Sequence, residues 1–465
     1  MTDRIVVRRN TYYDSITLML ASRDAESVAG VSFAAAVAAT PINRRLLEDQ
    51  GFDVDDALGS NDLVVAVRAD GDDAAAAAAR AVEQRLSGSD DSAGRGETQA
   101  PRSLRSAARS DDALNVAFVS VPGRFSAYEV ATALEEGLHV FCFSDGMAID
   151  DEAALKQRAV ECGLLFMGAD CGTAIIDGVG FGFANAVQRG PVGIVGASGT
   201  GIQQVTCLLD GAGVGVSHAI GVGGRDLSAG VGGTMTLHAL DLLAKDDDTE
   251  VIAVISKPPD AHVARRVADR VRSLDKPVVL GFLGHSGTLE ETAIRGAELC
   301  DATLSLQDAA VARTTPGTIR GFFCGGTLCE EAATIVRPHI PHAEFVDFGA
   351  DEYTEGRAHP MIDPTLRNDR FARDADDPSV GAIVLDVVLG FGAHPDPAGE
   401  LGGIVRDALQ RRGGDITVVV ALCGTDADPQ NRSDQAGALV DAGAIVTQSA
   451  AQAARVALAA TGRAP

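Results

Sequence analysis

Apolar positions along this chain alternate between two rhythms: short runs of buried-strand character and longer stretches with helical spacing. Residues 4–86 read as three strand–helix pairs, with strands at Ile5–Val7, Val31–Ala38 and Leu63–Val67. Helices are expected at Ser15–Ala25, Pro41–Gln50 and the alanine-rich Asp72–Leu86. Residues 87–112 have no apolar period and are rich in Gly, Ser, Asp and Arg, which predicts a flexible linker. Order resumes with a strand from Leu114, a helix over Ser126–Glu136, a strand over Leu138–Phe143, a helix over Glu152–Cys162 and a strand over Leu164–Met167. Further strands fall at Gly193–Val195, Val216–Gly221, Val251–Ser256 and Pro277–Phe282, and again at Gly321–Cys324, Glu344–Phe348, Ala382–Leu389, Ile416–Leu422 and Ala444–Val446. Strands alternating with helices in this way predict parallel sheets joined by helical crossovers. Two flavodoxin-sized units, roughly 190–315 and 320–462, each open with a glycine-rich turn before a helix.

A chain of 465 residues is too long for one core and should divide into about three domains. The formal charge of −26 argues against a nucleic-acid partner, because nothing would neutralise phosphates along a duplex. Only Lys156, Lys245, Lys257 and Lys276 among the 39 basic residues are lysines, and this acid excess with arginine preferred resembles proteins of salt-loving microbes. No apolar run is long enough for a membrane span, and the opening MTDRIVVRRN lacks a secretory pattern, so a cytoplasmic protein is expected. The eight cysteines are scattered, without a C-x-x-C pair or a histidine at zinc spacing. Reduced thiols and no metal site are expected.

The stretch GPVGIVGASGTGIQQVTCLL, 190–209, places a glycine-rich turn between an apolar strand and a helix. Helix starts expose unpaired N–H groups and the positive end of the dipole, which suits an anion. A P-loop is excluded, because Ile202 and Gln203 stand where Lys and Ser/Thr are required. A nucleophile elbow is excluded by Thr200, and the Rossmann fingerprint is not met. The reading is an anion cradle from Ser198, Gly199, Thr200 and Gly201, against a tight turn without a ligand. Gly390, Gly392 and His394 make a second such mouth, and Gly325, Gly326 and Thr327 a third.

These segments together resemble the succinyl-CoA synthetase superfamily, and more closely its FdrA-type family. The run 115–176 is similar to the later part of a CoA-binding domain. There Val121–Pro122, Ser144–Asp145–Gly146 and Gly168–Cys171 correspond to cofactor-facing loops. GPVGIVGASGTGIQQV and SHAIGVGGRDLS resemble the α-subunit ligase domain, and 381–458 the β-subunit ligase domain. YYDSITLML and the block 347–367 mark FdrA-like chains. The implied fold is multi-domain α/β: an N-terminal FdrA-specific region (1–86), the linker (87–112), a Rossmann-like CoA-binding-type domain (113–189) and two flavodoxin-like succinyl-CoA synthetase ligase domains (190–316 and 317–465).

The departures from that family carry their own implications. The usual glycine fingerprint of the CoA-binding domain has no counterpart, which leaves CoA open as a cofactor. SKPPD, with Lys257, stands where the family places a glutamate that supports a phosphohistidine. The loop carrying His285 is short, so His285 reads as a turn histidine or, less readily, a phosphoryl carrier. No nucleotide-binding module is present in the sequence. FdrA-type resemblance implies oxamate carbamoyltransferase acting with other subunits: phosphorolysis of oxalurate to oxamate and carbamoyl phosphate, with phosphate as co-substrate. Arg225 would clamp phosphate or carboxylate, or else pair with Asp226. Asp351, Glu352, Arg357, His359 and Asp363 would contact substrate or subunits. An acyl-CoA ligase subunit serving a separate nucleotide-binding chain, and a non-catalytic scaffold, are the alternatives. Partner subunits and self-association are expected.

Overall fold

The computed structural model of the chain describes residues 1–11, 13, 15–55, 57–88, 101–311, 313–354 and 357–464. Two compact units emerge, one from Met1–Ala100 with Phe348–Pro364 and the other from Pro101–Asp347 with Thr365–Pro465.

In the first unit, β1 (Thr2–Arg8), β2 (Val31–Ala38) and β3 (Leu63–Ala69) form a sheet in the order β1-β3-β2. Both pairings are antiparallel. The three expected helices are present at Ser15–Glu26, Pro41–Asp49 and Asp72–Gly88. One face of the sheet packs Leu63, Val65 and Val67 against Leu18, Ala21, Ala78 and Val82 of the first and third helices. The other face gathers Val64 and Ala66 with Leu47, Phe52, Val54 and Leu58. The chain returns to this unit at Phe348–Pro364, so both segments that mark the FdrA-like resemblance, YYDSITLML and much of 347–367, lie in it.

The second unit contains three sheets. The first consists of β4 (Val116–Val119), β5 (His139–Cys142) and β6 (Phe166–Met167), all parallel. The linker expected over 87–112 is corrected where it can be seen. Residue 87 still belongs to the third helix, and Leu104–Ala108 is a helix whose capping box is closed by Ser103 and Ser106. Residues 89–100 lie outside the described residues.

The second sheet is built from β7 (Thr173–Ile176), β8 (Val179–Gly182), β9 (Arg189–Ala197), β10 (Val216–Gly221), β11 (Val251–Ser256) and β12 (Val278–Phe282), in the order β12-β11-β9-β10-β7-β8. The strands β12, β11, β9 and β10 are parallel, while β7 and β8 form an antiparallel hairpin. That hairpin was not anticipated. Its turn, Asp177–Gly178, has positive φ at both residues, 53° and 79°, as a two-residue Asp-Gly hairpin requires. The third sheet, β14-β13-β15-β16-β17, is parallel throughout and comprises β13 (Thr318–Phe323), β14 (Glu344–Asp347), β15 (Val380–Val388), β16 (Thr417–Cys423) and β17 (Ile445–Thr447). All nine residues of β15 are buried, as in a strand covered by helices on both faces.

Two charge clusters lie inside the second unit. Lys156 is fully buried and donates to Glu152 (2.8 Å), to Asp226 (2.9 Å) and to the Val222 carbonyl (2.8 Å). It ties the helix Ile149–Glu161 to the loop after β10. Glu331, on the helix Gly326–Val336, accepts from the Leu289 amide at 2.6 Å, while its Oε2 has no hydrogen-bond partner. Burial pushes this carboxyl up to about 8, and the neighbouring Glu290 adds to the rise.

Replacing Lys156 by Ala leaves the buried Asp226 carboxylate without its cation and Glu152 with Arg225 alone. The expected loss is about 3–5 kcal/mol, read as a lower urea midpoint. Glu331 keeps its proton in the folded chain at pH values where the unfolded chain has lost it. Stability should therefore fall as pH rises from 4.5 towards about 8. Glu331→Gln should flatten that fall in melting temperatures measured at pH 5, 6.5 and 8.

Candidate functional site

In open parallel sheets, ligand sites form at the carboxyl ends of strands, where the strand order reverses. Two strands here are flanked on both sides by strands that follow them in sequence: β9, between β10 and β11, and β13, between β14 and β15. Each runs directly into a glycine-rich turn and a helix, Gly199–Gly211 after β9 and Gly326–Val336 after β13.

The two helix starts meet. Ser198, the N-cap of the first helix, places its hydroxyl 2.6 Å from that of Thr327 in the first turn of the second. An ideal Cβ built on Gly325, the N-cap of the second helix, would lie 2.8 Å from the Thr200 side chain. Cap therefore touches first turn in both directions, and Gly325 must lack a side chain for the turns to approach this closely. Gly199 rests against Gly172 and Thr173, an ideal Cβ there lying 3.3 Å from the Thr173 hydroxyl.

The expected ligand groups of these turns divide into two sets. The Ser198 hydroxyl accepts from the Gly201 amide at 2.9 Å, so Ser198, Gly201 and Thr327 are buried and engaged with one another. The Gly325 amide is also taken. With the Cys324 amide it donates to the fully buried Asp386 carboxylate, at 2.8 and 2.7 Å. Burial pushes the Asp386 carboxyl above its ordinary range, against the pull of Arg367 and the two amides. Arg367 in turn donates to the Asp386 carbonyl at 2.6 Å. The amides of Gly199 and Thr200, and those of Gly326 to Leu328, have no acceptor among the described residues, and the second helix has no side-chain cap. Gly199, Thr200 and Gly326 are partly exposed.

Sequence reasoning noted Lys257 only as a departure from a family pattern. It follows β11 and is exposed, and no hydrogen bond or ion pair engages it among the described residues. An ideal Cβ on Gly326 would lie 2.6 Å from Lys257 Nζ and would collide with Asp347 Oδ2. Lys257 thus brings an ammonium to the start of the second helix. Its rarity as a residue type was the available signal. Asp347, Asp386 and Arg367 gave none, because their roles depend on pairings across the sheet.

Several expected site residues are placed elsewhere. Arg225 donates to the Met147 carbonyl at 2.8 Å and pairs with Glu152 at 2.7 Å, so it braces the Lys156 cluster. Its suggested partner Asp226 is instead held by Lys156 and Thr236. At the 390–394 mouth, the Gly390 amide donates to Gln430 (3.1 Å), and His394 accepts from the Asp396 amide and meets Glu400 at 2.9 Å. The helix Pro397–Arg411 is capped by the Asp396 carboxylate, whose charge disfavours a bound anion there. Gly392 lies on the exposed side of the same turn. His285 is exposed on the turn after β12, where the preceding Gly284 lies beside Pro258.

The CoA-type loops converge at the carboxyl ends of β4, β5 and β6. Ser144 accepts from the Val121 amide at 2.8 Å, and the Asp170 amide donates to the Ser144 carbonyl at 2.9 Å. Pro122 is the N-cap of the helix Gly123–Glu135. A Cβ on Gly123 would collide with the Asp145 carbonyl and lie within 3 Å of Gly146, so these two turns approach each other closely through glycine. Gly168 packs on Cys142, and burial pushes the thiols of Cys142 and Cys171 up to about 12, far from nucleophilic. An apolar hollow of about 420 Å³, lined by Leu104, Leu114, Phe118 and Val121 among others, includes no residue of the facing turns. Asp351, Glu352, Arg357, His359 and Asp363 belong to the first unit, where Arg357 meets Asp363 at 3.8 Å and burial lowers His359 to about 4.

Comparison with known proteins is consistent with this architecture. Residues 322–460 match the CoA-ligase family, 187–283 the CoA binding domain, and 1–102 the AllF heavy metal-associated domain. The CoA-binding match thus falls on the β9–β12 sheet, not on the 113–189 region to which such a domain was assigned from sequence. Uncharacterized protein YahF of Escherichia coli (strain K12) is 38% identical over 502 residues, covering 97% of this chain and 96% of its own. Succinate–CoA ligase [ADP-forming] subunit alpha 2 of Archaeoglobus fulgidus is 30% identical over 229 residues, 46% of this chain and 77% of its own. ADP-forming sulfoacetate-CoA ligase subunit SauD of Bilophila wadsworthia is 28% identical over 184 residues, 37% of this chain and 60% of its own. The chain belongs to the family of YahF, within the succinyl-CoA synthetase superfamily.

Proposed function

We propose that this chain is the phosphate-binding subunit of an acyl- or carbamoyl-transfer enzyme of FdrA type, most specifically one that phosphorolyses oxalurate to oxamate and carbamoyl phosphate. One observation carries the reading: two helix starts from two ligase-like domains meet through Ser198 and Thr327, with free amides beside them and Lys257 above Gly326. An oxyanion at this point would meet two helix dipoles and an ammonium, with the Asp347 carboxylate beside Gly326 opposing them.

In the reaction, a phosphate oxygen attacks the carbamoyl carbon of oxalurate. A C–O bond forms as the C–N bond to oxamate breaks, and the leaving nitrogen takes the proton carried by hydrogen phosphate. Preorganised amides of Gly199, Thr200 and Gly326 would stabilise the charge that develops. Nothing in this sequence of events needs a phosphohistidine, a nucleotide or CoA. Other subunits supply what this chain lacks. The relatives named ADP-forming ligase subunits support a second reading, an acyl-CoA ligase subunit that works with a separate nucleotide-binding chain.

The test is an assay of this chain with its co-purifying subunits. Phosphate-dependent release of oxamate from oxalurate is expected. Thioester formation dependent on ATP and CoA would favour the ligase reading, and an intact complex with neither activity would favour a scaffold.

Within this reading, Lys257→Ala should weaken phosphate binding by about tenfold, near 1.4 kcal/mol, as measured by isothermal titration. A bulky residue at Gly199 should abolish binding while the melting temperature is retained. His285→Ala should leave turnover intact; loss of turnover together with a phosphorylated intermediate would reinstate His285 as a carrier.

A further inference from the structure

The family matched by residues 1–102 is named for heavy metals, and the donors in this chain do not fit such a metal. Soft and borderline transition metals are held by thiolates, thioethers and imidazoles. Residues 1–102 contain neither Cys nor His, and their sulfur is limited to Met1 and Met19. Met1 is 81% exposed at the chain start and Met19 sits on the helix Ser15–Glu26; the one imidazole of the returning segment, His359, accepts from the Met361 amide at 3.2 Å, and the segment brings no cysteine.

Several carboxylates of this region are also committed. Asp62 accepts from the amides of Asn10 (2.8 Å) and Gly59 (3.0 Å), fastening the loop that follows β1. Asp3 pairs with Arg68 at 2.6 Å, Asp24 with Arg85 at 2.6 Å and Glu83 with Arg8 at 2.7 Å. Among the described residues, no group of three or more His, Cys, Asp or Glu side chains is gathered as a metal site would require. The unit has other means of holding itself together. Its sheet is packed on both faces, and Phe52 lies between Phe33, with ring centres 5.3 Å apart, and the Arg68 guanidinium, 4.6 Å from its ring centre.

We infer that the N-terminal unit has the fold of a heavy-metal-associated domain without its metal chemistry. Its stability rests on two apolar layers and the hydrogen-bonded Asp62 loop, with Phe348–Pro364 as the chain's own contribution to the same unit. No part of the proposed transfer reaction depends on a metal held there.

The full chain is titrated with Zn²⁺ and with Cu⁺ against a competing chelator, alongside a Cys162→Ser/Cys300→Ser variant that removes the more accessible thiols. Hydrogen–deuterium exchange of peptides from 1–88 is followed in both. Unchanged exchange in 1–88, with no metal retained or with metal retained only by the chain that keeps Cys162 and Cys300, is the expected result. One equivalent of metal retained by the variant, with slowed exchange in 1–88, would overturn the inference. Asp62→Ala provides a second measurement. It should raise exchange in the 8–15 and 57–63 peptides without metal, and restoration of protection by added Zn²⁺ would also overturn it.

Discussion

The hydroxyl contact between Ser198 and Thr327 sets the main constraint on the second unit. It joins the starts of two helices, and each helix start behaves as roughly half a positive charge. Bringing two such ends together is unfavourable unless negative or hydrogen-bond-accepting groups lie among them. The chain supplies some of these itself. Asp386 closes over the amides of Cys324 and Gly325, and Asp347 reaches the first residue of the second helix. The amides left over belong to the two helix starts, and Lys257 Nζ lies beside Gly326 at the second. Donors without an acceptor among the described residues, with an ammonium beside them, are the feature from which the proposed phosphate site is argued.

Asp386 also explains why the two turns are unlike despite their shared position after a switch-point strand. The first turn is capped by a serine, which satisfies the Gly201 amide and adds no charge. The second has no side-chain cap, and the amides just before it are held by a buried carboxylate backed by Arg367. Removing that carboxylate would free two amides beside the junction and leave a buried guanidinium without its counter-charge. The cluster therefore acts on the turn as a positioning device, and its worth lies in fixing where the next amides point.

Much of the fold was legible because periodicity and burial agree in parallel α/β units. The runs at Val251–Ser256 and Ala382–Leu389 are apolar on both faces, and such runs become central strands. The glycine turns were legible for the same reason, since a tight strand-to-helix passage needs them. What escaped was pairing. The Asp177–Gly178 hairpin carried its own signal, but no strand was expected between Met167 and Gly193. Arg225 was read either as a ligand clamp or as the partner of its neighbour in sequence, Asp226. In the folded chain Glu152, far away in sequence, takes it instead. The antiparallel order of the first sheet was equally hidden, because alternation of strands and helices does not fix strand direction when the sheet is small.

The excursion at Phe348–Pro364 connects these observations along the chain. It leaves the third sheet directly after Asp347, whose carboxylate reaches Gly326, and rejoins it just before Arg367, which backs Asp386. Both ends of the excursion are therefore fixed by side chains that shape the second helix start. A closed loop of this length adds little entropy cost when doubled or halved, so its ends need not be pinned for the sake of stability alone. Asp347 and Arg367 thereby hold the chain on either side of the segment while they shape the second helix start.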